Sequence, residues 1–417
     1  MKCLIKKLTF LLSAIFLFTF SSGCISRDSY SIVISSNDLD THKIDYQYFR
    51  RVVDRERFWR IFIDAEDDLF DKVWYIDPRI VGRYTLDLTI HQGDVAVNTQ
   101  WHRHWAEMIE YVTNGGLTIN VHYGGTLLGS SETFVGISSG VADLGWIPIS
   151  IFPSEFPIGN FFNLPFLGFG DTASFNTSAF WDVYEWSDAW QNELSEFHII
   201  ALYSTGGNFY MSNEPITTLD EFNGMMIRAA GGIPATLVTT LGGIPISINS
   251  VDLYEAMFRG VVDGYLFDIS GVNAWGLQEV TAYYSSLDLF TTIQSFLLNM
   301  EAFKRLPTEY QDVIKYFSGR EMSIQKARHW DTEAKHVFST TINRTQIVEF
   351  DSASADKAKQ ITLQSNRDHA ASVNIYSFDA QVFLDFVMER AVYHNEKVDP
   401  NLRVRALAWT QNNWWPY

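Results

Sequence analysis

Alternating apolar and polar positions predict β-strands from Tyr84 onward. The stretches YTLDLTI and LTINVHY both alternate, as expected of strands with one buried face. Between them, NTQWHRHWAEMIEYV has the spacing of an amphipathic helix, which the following NGG stops. A short helix over SSETFVGISSG and a strand over VADLGWIPIS continue the series. This β-α-β-α-β order predicts parallel strands in an α/β lobe.

A second series of strands and helices begins near Phe197. Strands are predicted over the stretches FHIIALYS (197–204), MMIRAA (225–230), IPISI and VVDGYLFD. The predicted helices between them cover PATLVTTLGG and VDLYEAMFRG, and a late amphipathic helix covers SFDAQVFLDFVMERAVYH. From about Thr308 the pattern predicts one uninterrupted helix, roughly 50 Å long and therefore longer than one lobe. The length of 417 residues also suits two lobes.

The N-terminus has the pattern of an export signal. Three lysines precede an apolar run from Leu8 to Phe20, which is too short to span a bilayer comfortably. The run ends in SSGC, which resembles a bacterial lipobox although Ser21 stands where leucine is usual. We predict a lipoprotein signal peptide over residues 1–23 and lipidation of Cys24. An ordinary signal peptide, or an uncleaved anchor with Cys24 incidental, remains the alternative.

Residues 24–83 are predicted to form an N-terminal extension or spacer. The segment is polar at first and then has helical apolar spacing with many charges. The acidic stretch DAEDDLFD (64–71) lacks the glycine and the terminal glutamate of an EF-hand loop, so a solvated helix end is expected there.

Charge and cysteine content exclude several classes of protein. The formal net charge is −18, which argues against nucleic-acid binding because that function needs basic surfaces. The only cysteine besides Cys24 is Cys3, inside the signal, so no internal disulfide is predicted for the mature chain.

Catalytic motifs are sparse. The stretch GISSG (136–140) fits the G-x-S-x-G nucleophile elbow, but that motif requires its serine at a strand-to-helix turn and Ser138 falls near the end of a helix. His102 and His104 are two positions apart and so lie on different helix faces, which disfavours a zinc site. No phosphate-binding or dinucleotide-binding glycine pattern occurs. We therefore predict no cofactor and no metal, and an exported hydrolase using Ser138 is kept only as an alternative.

Arg228 is the strongest candidate for a binding residue. It follows an apolar strand and precedes the small residues AAGG. Ligands of α/β lobes gather at the carboxyl ends of strands, where a guanidinium can hold a carboxylate with two parallel hydrogen bonds. From position alone, a structural salt bridge to a buried aspartate explains Arg228 equally well.

The region around Arg228 resembles the solute-binding subunits of TRAP transporters, the tripartite ATP-independent periplasmic type. The stretch ITTLDEFNGMMIRAAGG and the later LGGIPISINSVDLYEAMFRGVVDGYLFD carry the resemblance, with further similarity in GGTLLGSSETFVGISSGVADLGWIP, NLPFL and MEAFKRLPTEYQDVI. The similarity runs in order from about residue 84 to 345. The matching positions are Pro215, Asp220, Gly224, Ile227, Arg228, Gly242, Pro245, Tyr254, Ala256, Gly260, Val262, Asp263 and Gly264.

The resemblance implies an α/β, two-lobed fold like that of periplasmic binding proteins, with a cleft between the lobes and a long helix that spans both. It implies one lobe of residues 84–205 plus 293–332 and a second of residues 206–292 plus 333–417. The chain would then be an extracytoplasmic receptor without enzymatic activity, anchored on the periplasmic or extracellular face through Cys24. It would bind a small organic acid, with Arg228 on the carboxylate, and deliver it to the TRAP membrane permease subunits.

Four further positions are predicted to line the pocket, and two of them depart from the usual family pattern. Asn208 stands where many members have a second arginine, and Phe267 replaces a polar residue of the matching strand. His91 and Trp146 follow or end strands of the first series. A pocket with few polar anchors and more aromatic surface would suit an apolar or aromatic monocarboxylate, although Trp146 and Phe267 could equally belong to the core. A ligand-sensing lipoprotein that serves no permease is a further alternative.

Overall fold

The computed structural model describes residues 76–94, 96–341 and 345–398. The predicted signal peptide, Cys24 and the extension as far as residue 75 lie outside the described residues. Of the predicted extension, only residues 76–83 are described; they contain one short helix that begins at Pro78.

The described strands form one ten-stranded sheet. Along the main path the strand order is β2-β1-β3-β9-β4-β7-β5-β6, and β8 pairs with both β4 and β10. The strands are β1 Tyr84–Thr89, β2 Leu117–His122, β3 Leu144–Pro148, β4 Phe197–Ser212, β5 Met226–Ala229, β6 Ile244–Ser247, β7 Gly264–Asp268, β8 Tyr283–Ser285, β9 Phe290–Asn299 and β10 Gln346–Val348.

Helices connect these strands and follow them. They are α1 Pro78–Val81, α2 Val97–Val112, α3 Thr133–Ser138, α4 Ala173–Trp186, α5 Asp188–Glu193, α6 Gly232–Thr240, α7 Leu253–Phe258, α8 Ile269–Ala274, α9 Met300–Lys304, α10 Thr308–Tyr316, α11 Gly319–Thr341, α12 Ser352–Ser372 and α13 Ala380–Glu396. Within the described ranges, no helix is both long enough and apolar enough to cross a bilayer.

The predicted parallel pairing of the first series is confirmed, and three short strands of the second series are also parallel to one another. β1 pairs in parallel with β2 and with β3, and β5 pairs in parallel with β6 and with β7. The alternation in β1 buries Leu86 and Leu88, as the sequence pattern indicated. The α/β fold class is therefore confirmed. The strands β1 to β3 lie at one end of the sheet and β5 to β7 at the other, whereas β4 lies between them and is antiparallel to β7 and β9.

Two long antiparallel strands join the two series. β4 was predicted to end at Ser204 but continues to Ser212, and β9 was not predicted. Their pairing register shifts between Ser204 and Gly207. Gly206 has φ of 80° there, and a Cβ atom would lie 2.7 Å from the carbonyl oxygen of Asp171, so the bend requires glycine. Both strands cross the predicted lobe boundaries at 205/206 and 292/293, so the sheet itself runs through them. The division into two lobes stays a prediction.

The prediction of one uninterrupted helix from Thr308 was wrong. α10 ends at Tyr316, and α11 begins at Gly319, whose φ of 85° breaks the helical path. The indole of Trp105 donates a hydrogen bond of 2.9 Å to the carbonyl oxygen of Phe317 at this break. α11 is still the longest helix among those described, with 23 residues and a length of about 34 Å.

Packing against the sheet is mostly aromatic. α4 lies against β4, α11 and α13, and the core beside it contains Phe162, Phe180, Trp190 and Phe383. The late amphipathic helix predicted from SFDAQVFLDFVMERAVYH is confirmed as α13, which buries Phe383, Leu384 and Val387. These helices hold β4 and β9 in place, and β4 and β9 carry several residues of the site.

Candidate ligand-binding site

One cavity of about 830 Å³ lies among the ends of the strands of both series. His91 and Trp146 line it from the first series, and Arg228 and Phe267 line it from the second. Asn208 on β4 completes the set. The five side chains predicted to line a pocket thus share one cavity of a size typical for small-molecule sites.

Arg228 is held by neutral acceptors at the wall of this cavity. Its side chain is buried, with 4% relative exposure. Nε donates a hydrogen bond of 2.9 Å to the carbonyl oxygen of Ile248, and one Nη nitrogen donates a bond of 3.1 Å to the hydroxyl of Ser250. These two contacts fix the plane of the guanidinium without neutralising its charge.

The alternative of a structural salt bridge at Arg228 finds no support. Among the described residues, no carboxylate oxygen lies within 4 Å of its guanidinium nitrogens. Burial lowers the pKa of Arg228 to about 10, so the side chain stays charged at neutral pH. A buried cation that lines a cavity and has no anionic neighbour favours the binding of an anion, because the anion compensates its charge.

Phe267 lies directly beside the cation. The Arg228 Cζ atom is 5.2 Å from the centroid of the Phe267 ring, within the range of a cation–π contact. Phe267 belongs to β7 and is only partly buried because it lines the cavity. It therefore contributes an apolar surface close to the expected position of a bound carboxylate.

The opposite wall carries a stacked pair of rings. His91 and Trp146 have ring centroids 4.2 Å apart and an angle of 13° between their planes. The indole N–H of Trp146 donates a hydrogen bond of 3.0 Å to Oε1 of Gln294 on β9. Burial lowers the pKa of His91 to about 4, so its ring is neutral at pH 7. This wall presents flat, uncharged aromatic surface.

Asn208 lies between the two walls. It is buried, and its side-chain amide donates a hydrogen bond of 3.1 Å to the hydroxyl of Thr292. In the sheet it is paired with Asp268 on β7 and with Phe290 on β9. Its replacement of a second arginine leaves Arg228 as the only arginine that lines the cavity among the described residues.

Several cavity residues were not predicted. Trp330 and Glu333 are three positions apart on α11, and Gln294 and Thr292 belong to the unpredicted strand β9. Asp268 ends β7, and its place after a buried strand was a usable signal. For Gln294 and Thr292 the sequence offered none, because the strand that carries them is a nearly continuous buried run without clear alternation.

Ser138 lies outside the cavity. It is exposed at the end of α3, and the strand β3 follows it, which is the reverse of the order in a nucleophile elbow. No histidine of the described chain forms a hydrogen bond with its hydroxyl. The geometry offers no support for the hydrolase alternative.

Comparison with protein families gives the class of the chain. Residues 93–372 match the model of the family described as bacterial extracellular solute-binding protein, family 7. The match covers more than half of the chain. The protein therefore belongs to this family of extracellular solute-binding proteins.

Individual relatives are more distant. The chain is 23% identical over 236 residues to the outer membrane transporter protein TsaT of Comamonas testosteroni, covering 55% of this chain and 69% of the relative. A TRAP solute binding protein from a marine metagenome, specific for aromatic acid ligands and in complex with metahydroxyphenylacetate, superposes with a TM-score of 0.70 at 19% identity. That likeness covers 75% of this chain and 99% of the other.

A second solved structure gives a similar result. A TRAP solute binding protein from Rhodoferax ferrireducens, in complex with copurified benzoate, has a TM-score of 0.68 at 19% identity and covers 75% of this chain and 99% of that one. The two superpositions confirm the expectation of a periplasmic-binding-protein-like fold.

Proposed function

We propose that this protein is the extracytoplasmic receptor of a TRAP-type importer and that it binds an organic monocarboxylate. The observation that carries the proposal is the environment of Arg228. Its cation is buried at a cavity wall, it is oriented by Ile248 and Ser250, and no carboxylate of the described chain neutralises it. Membership of the solute-binding family supports the same conclusion.

The rest of the cavity favours an aromatic or apolar acid. The neutral stack of His91 on Trp146 faces the cavity from one side, and Phe267 lies beside the guanidinium. A planar ligand could place its carboxylate on Arg228 and its ring against these surfaces. Two of the structural relatives carry a hydroxyphenylacetate and benzoate, which is consistent with this class of ligand.

The remaining expectations complete the proposal. Residues 84–205 plus 293–332 would form one lobe and residues 206–292 plus 333–417 the other, and the two would close over the solute. The protein would be anchored by a lipid on Cys24 at the periplasmic or extracellular face of the membrane. It would pass the acid to membrane permease subunits and catalyse no reaction itself.

Binding to a panel of acids tests the proposal. Thermal shift and calorimetry on the chain that begins after Cys24 would use benzoate, hydroxybenzoates, keto acids, dicarboxylates, neutral sugars and amino acids. A carboxylate at 100 times its dissociation constant should stabilise the protein by about 2.7 kcal/mol. The stabilisation should be lost in Arg228→Gln and kept in Arg259→Gln, which changes an exposed arginine outside the cavity.

Three results would contradict this function. Stabilisation by neutral sugars that persists in Arg228→Gln would make Arg228 structural. Turnover of esters that is abolished by Ser138→Ala would favour the hydrolase. Carboxylate binding without ligand-dependent uptake, when the protein is supplied to vesicles containing its permease subunits, would instead favour the sensing lipoprotein.

A further inference from the structure

A buried carboxyl group lines the same cavity as Arg228. Asp268 is the last residue of β7 and has 6% relative exposure. It also precedes α8, where its side chain caps the helix by accepting from the backbone N–H of Gly271. Capping explains why an aspartate stands here, but it accounts for only one of the two carboxyl oxygens.

The hydrogen bonds of Asp268 are unevenly distributed. Oδ1 accepts from the hydroxyl of Ser270, from the backbone N–H of Gly271 at 3.0 Å and from the indole of Trp330 at 3.2 Å. Oδ2 accepts no hydrogen bond from any other residue of the described ranges, the backbone N–H of Asp268 itself being the one further donor to the carboxyl group. No lysine, arginine or histidine of these ranges lies within 4 Å of the carboxyl group. One oxygen is saturated, whereas the other still needs a donor.

An unsatisfied oxygen on a buried carboxyl group is costly. Burial raises the pKa of Asp268, which is the direction expected when the charged form lacks compensation. The other acid at the cavity wall, Glu333, accepts from the side-chain amide of Asn273 at 3.2 Å and cannot act as a donor while ionised. An additional donor to Asp268 would therefore come from the cavity, either from water or from a bound ligand that displaces it.

The sheet sets the spacing between the backbone positions of Asp268 and Arg228. Arg228 on β5 is paired in parallel with Tyr265 on β7, and Asp268 lies three residues further along β7. Three residues of a strand correspond to about 10 Å. A ligand with its carboxylate on Arg228 would reach Asp268 with a group on the far side of a ring-sized spacer.

We infer that Asp268 is a specificity-determining residue, whose Oδ2 accepts a hydrogen bond from a hydroxyl or N–H group of the bound acid. The inference rests on the proposed function, in which Arg228 holds the carboxylate. It narrows the ligand class to carboxylic acids that carry a hydrogen-bond donor remote from the carboxylate. An acid without such a donor would leave the oxygen unpaired, and polar sites reject such analogues strongly.

Two matched ligand pairs measured by calorimetry test this inference. One pair is 3-hydroxybenzoate and benzoate, and the other is indole-5-carboxylate and benzofuran-5-carboxylate, in which an N–H donor is replaced by an oxygen acceptor. We expect the wild-type protein to prefer the donor in at least one pair by about tenfold or more. Both members should lose binding in Arg228→Gln.

Two substitutions of Asp268 remove the proposed acceptor and keep the helix cap. Asp268→Asn retains the size of the side chain but presents an amide, and Asp268→Ser shortens it. Both residue types are good N-caps, so we expect the fold to persist. In both variants the preference for the N–H ligand should fall to less than about threefold. Asp379→Asn, the same change at the N-cap of α13, is the matched control and should leave the preference unchanged.

The outcomes separate the inference from the function on which it rests. Arg228-dependent binding of both members of each pair with equal affinity would overturn the role of Asp268 and leave the carboxylate receptor intact. A donor preference that persists in both Asp268 variants would also overturn it. The absence of binding by any carboxylate in the wild-type protein would overturn the proposed function itself.

Discussion

Two buried basic side chains, Arg228 and Lys326, occupy very different surroundings in this protein. Arg228 has 4% relative exposure and Lys326 has 0%. Neither has a carboxylate within 4 Å among the described residues. Arg228 lines the cavity and donates hydrogen bonds to Ile248 and Ser250, whereas Lys326 lies outside the cavity lining and its Nζ has no hydrogen-bond partner in the described chain.

Aromatic rings surround Lys326 instead. Its Nζ lies 4.8 Å from the ring centroid of Trp101 and 5.3 Å from those of Tyr203 and Trp330. Burial lowers the pKa of Lys326 well below its usual range. Cation–π contacts stabilise the charged form, but they do not replace the hydration that the ammonium has lost.

The difference shows what prepares a buried cation for binding. Two hydrogen bonds orient the guanidinium of Arg228, and the side chain lines the cavity. A ligand carboxylate can therefore bind to it and supply the missing negative charge. Aromatic rings enclose Lys326, so its burial lowers the free energy of unfolding and contributes nothing to ligand binding. We therefore expect substitutions of Arg228 to change affinity and substitutions of Lys326 to change stability.

The largest expected effect concerns affinity. Arg228→Lys keeps the charge but loses the forked geometry, so it should weaken carboxylate binding by about tenfold to a hundredfold. Lys326→Met should change the same dissociation constant by less than about threefold. Calorimetry with the best acid of the panel measures both variants, and an equal loss in the two would mean that the sealed ammonium also attracts the ligand.

The next largest effect concerns stability, and here the substitution of Lys326 is expected to be favourable. Lys326→Met replaces a buried amine without a hydrogen-bond partner by an apolar side chain of similar length, so it should raise the free energy of unfolding by about 1–3 kcal/mol. Lys304→Met, at an exposed lysine paired with Glu301, is the matched control and should change it by less than about 0.5 kcal/mol. Urea unfolding at pH 7 measures both variants.

The pH dependence sharpens the prediction for Lys326. Because burial lowers the folded-state pKa, the unfolded chain binds more protons than the folded chain between that pKa and the unfolded value of about 10.4. Raising the pH through this range therefore stabilises the wild-type protein, and the advantage of Lys326→Met should shrink toward pH 10. If the difference in the free energy of unfolding between Lys326→Met and the wild-type protein stays constant or widens as the pH rises, burial does not lower the pKa of Lys326.

How far the sequence could predict this architecture depends on the local signal at each element. Strands such as β1, with Leu86 and Leu88 in alternation, were predictable because one face is buried and the other is not. β9 lies in the middle of the sheet and is buried almost throughout, so it shows no period. The break at Gly319 was missed because a single glycine inside a helical pattern is often tolerated.

The candidate site was also predictable from the sequence only in part. Arg228 stood out because a lone cation follows an apolar strand and precedes small residues. The resemblance to a family then predicted four further residues of the same pocket, namely Asn208, Phe267, His91 and Trp146. Lys326 could not be recognised, because one lysine in an amphipathic helix is normally solvated, and only the packing of Trp101 and Tyr203 from distant segments buries it.

The smallest expected effect tests the aromatic wall opposite Arg228. Trp146→Phe keeps a ring against His91 but removes the hydrogen bond to Gln294 and part of the flat surface, so binding of an aromatic acid should weaken about threefold to tenfold. An aliphatic acid such as pyruvate should be affected less, because it makes little ring contact. Trp186→Phe, at a half-exposed tryptophan outside the cavity, is the control. Equal losses for both acids would show that Trp146 supports the fold of the cavity rather than contacting the ligand ring, and would leave Arg228 as the dominant determinant of affinity.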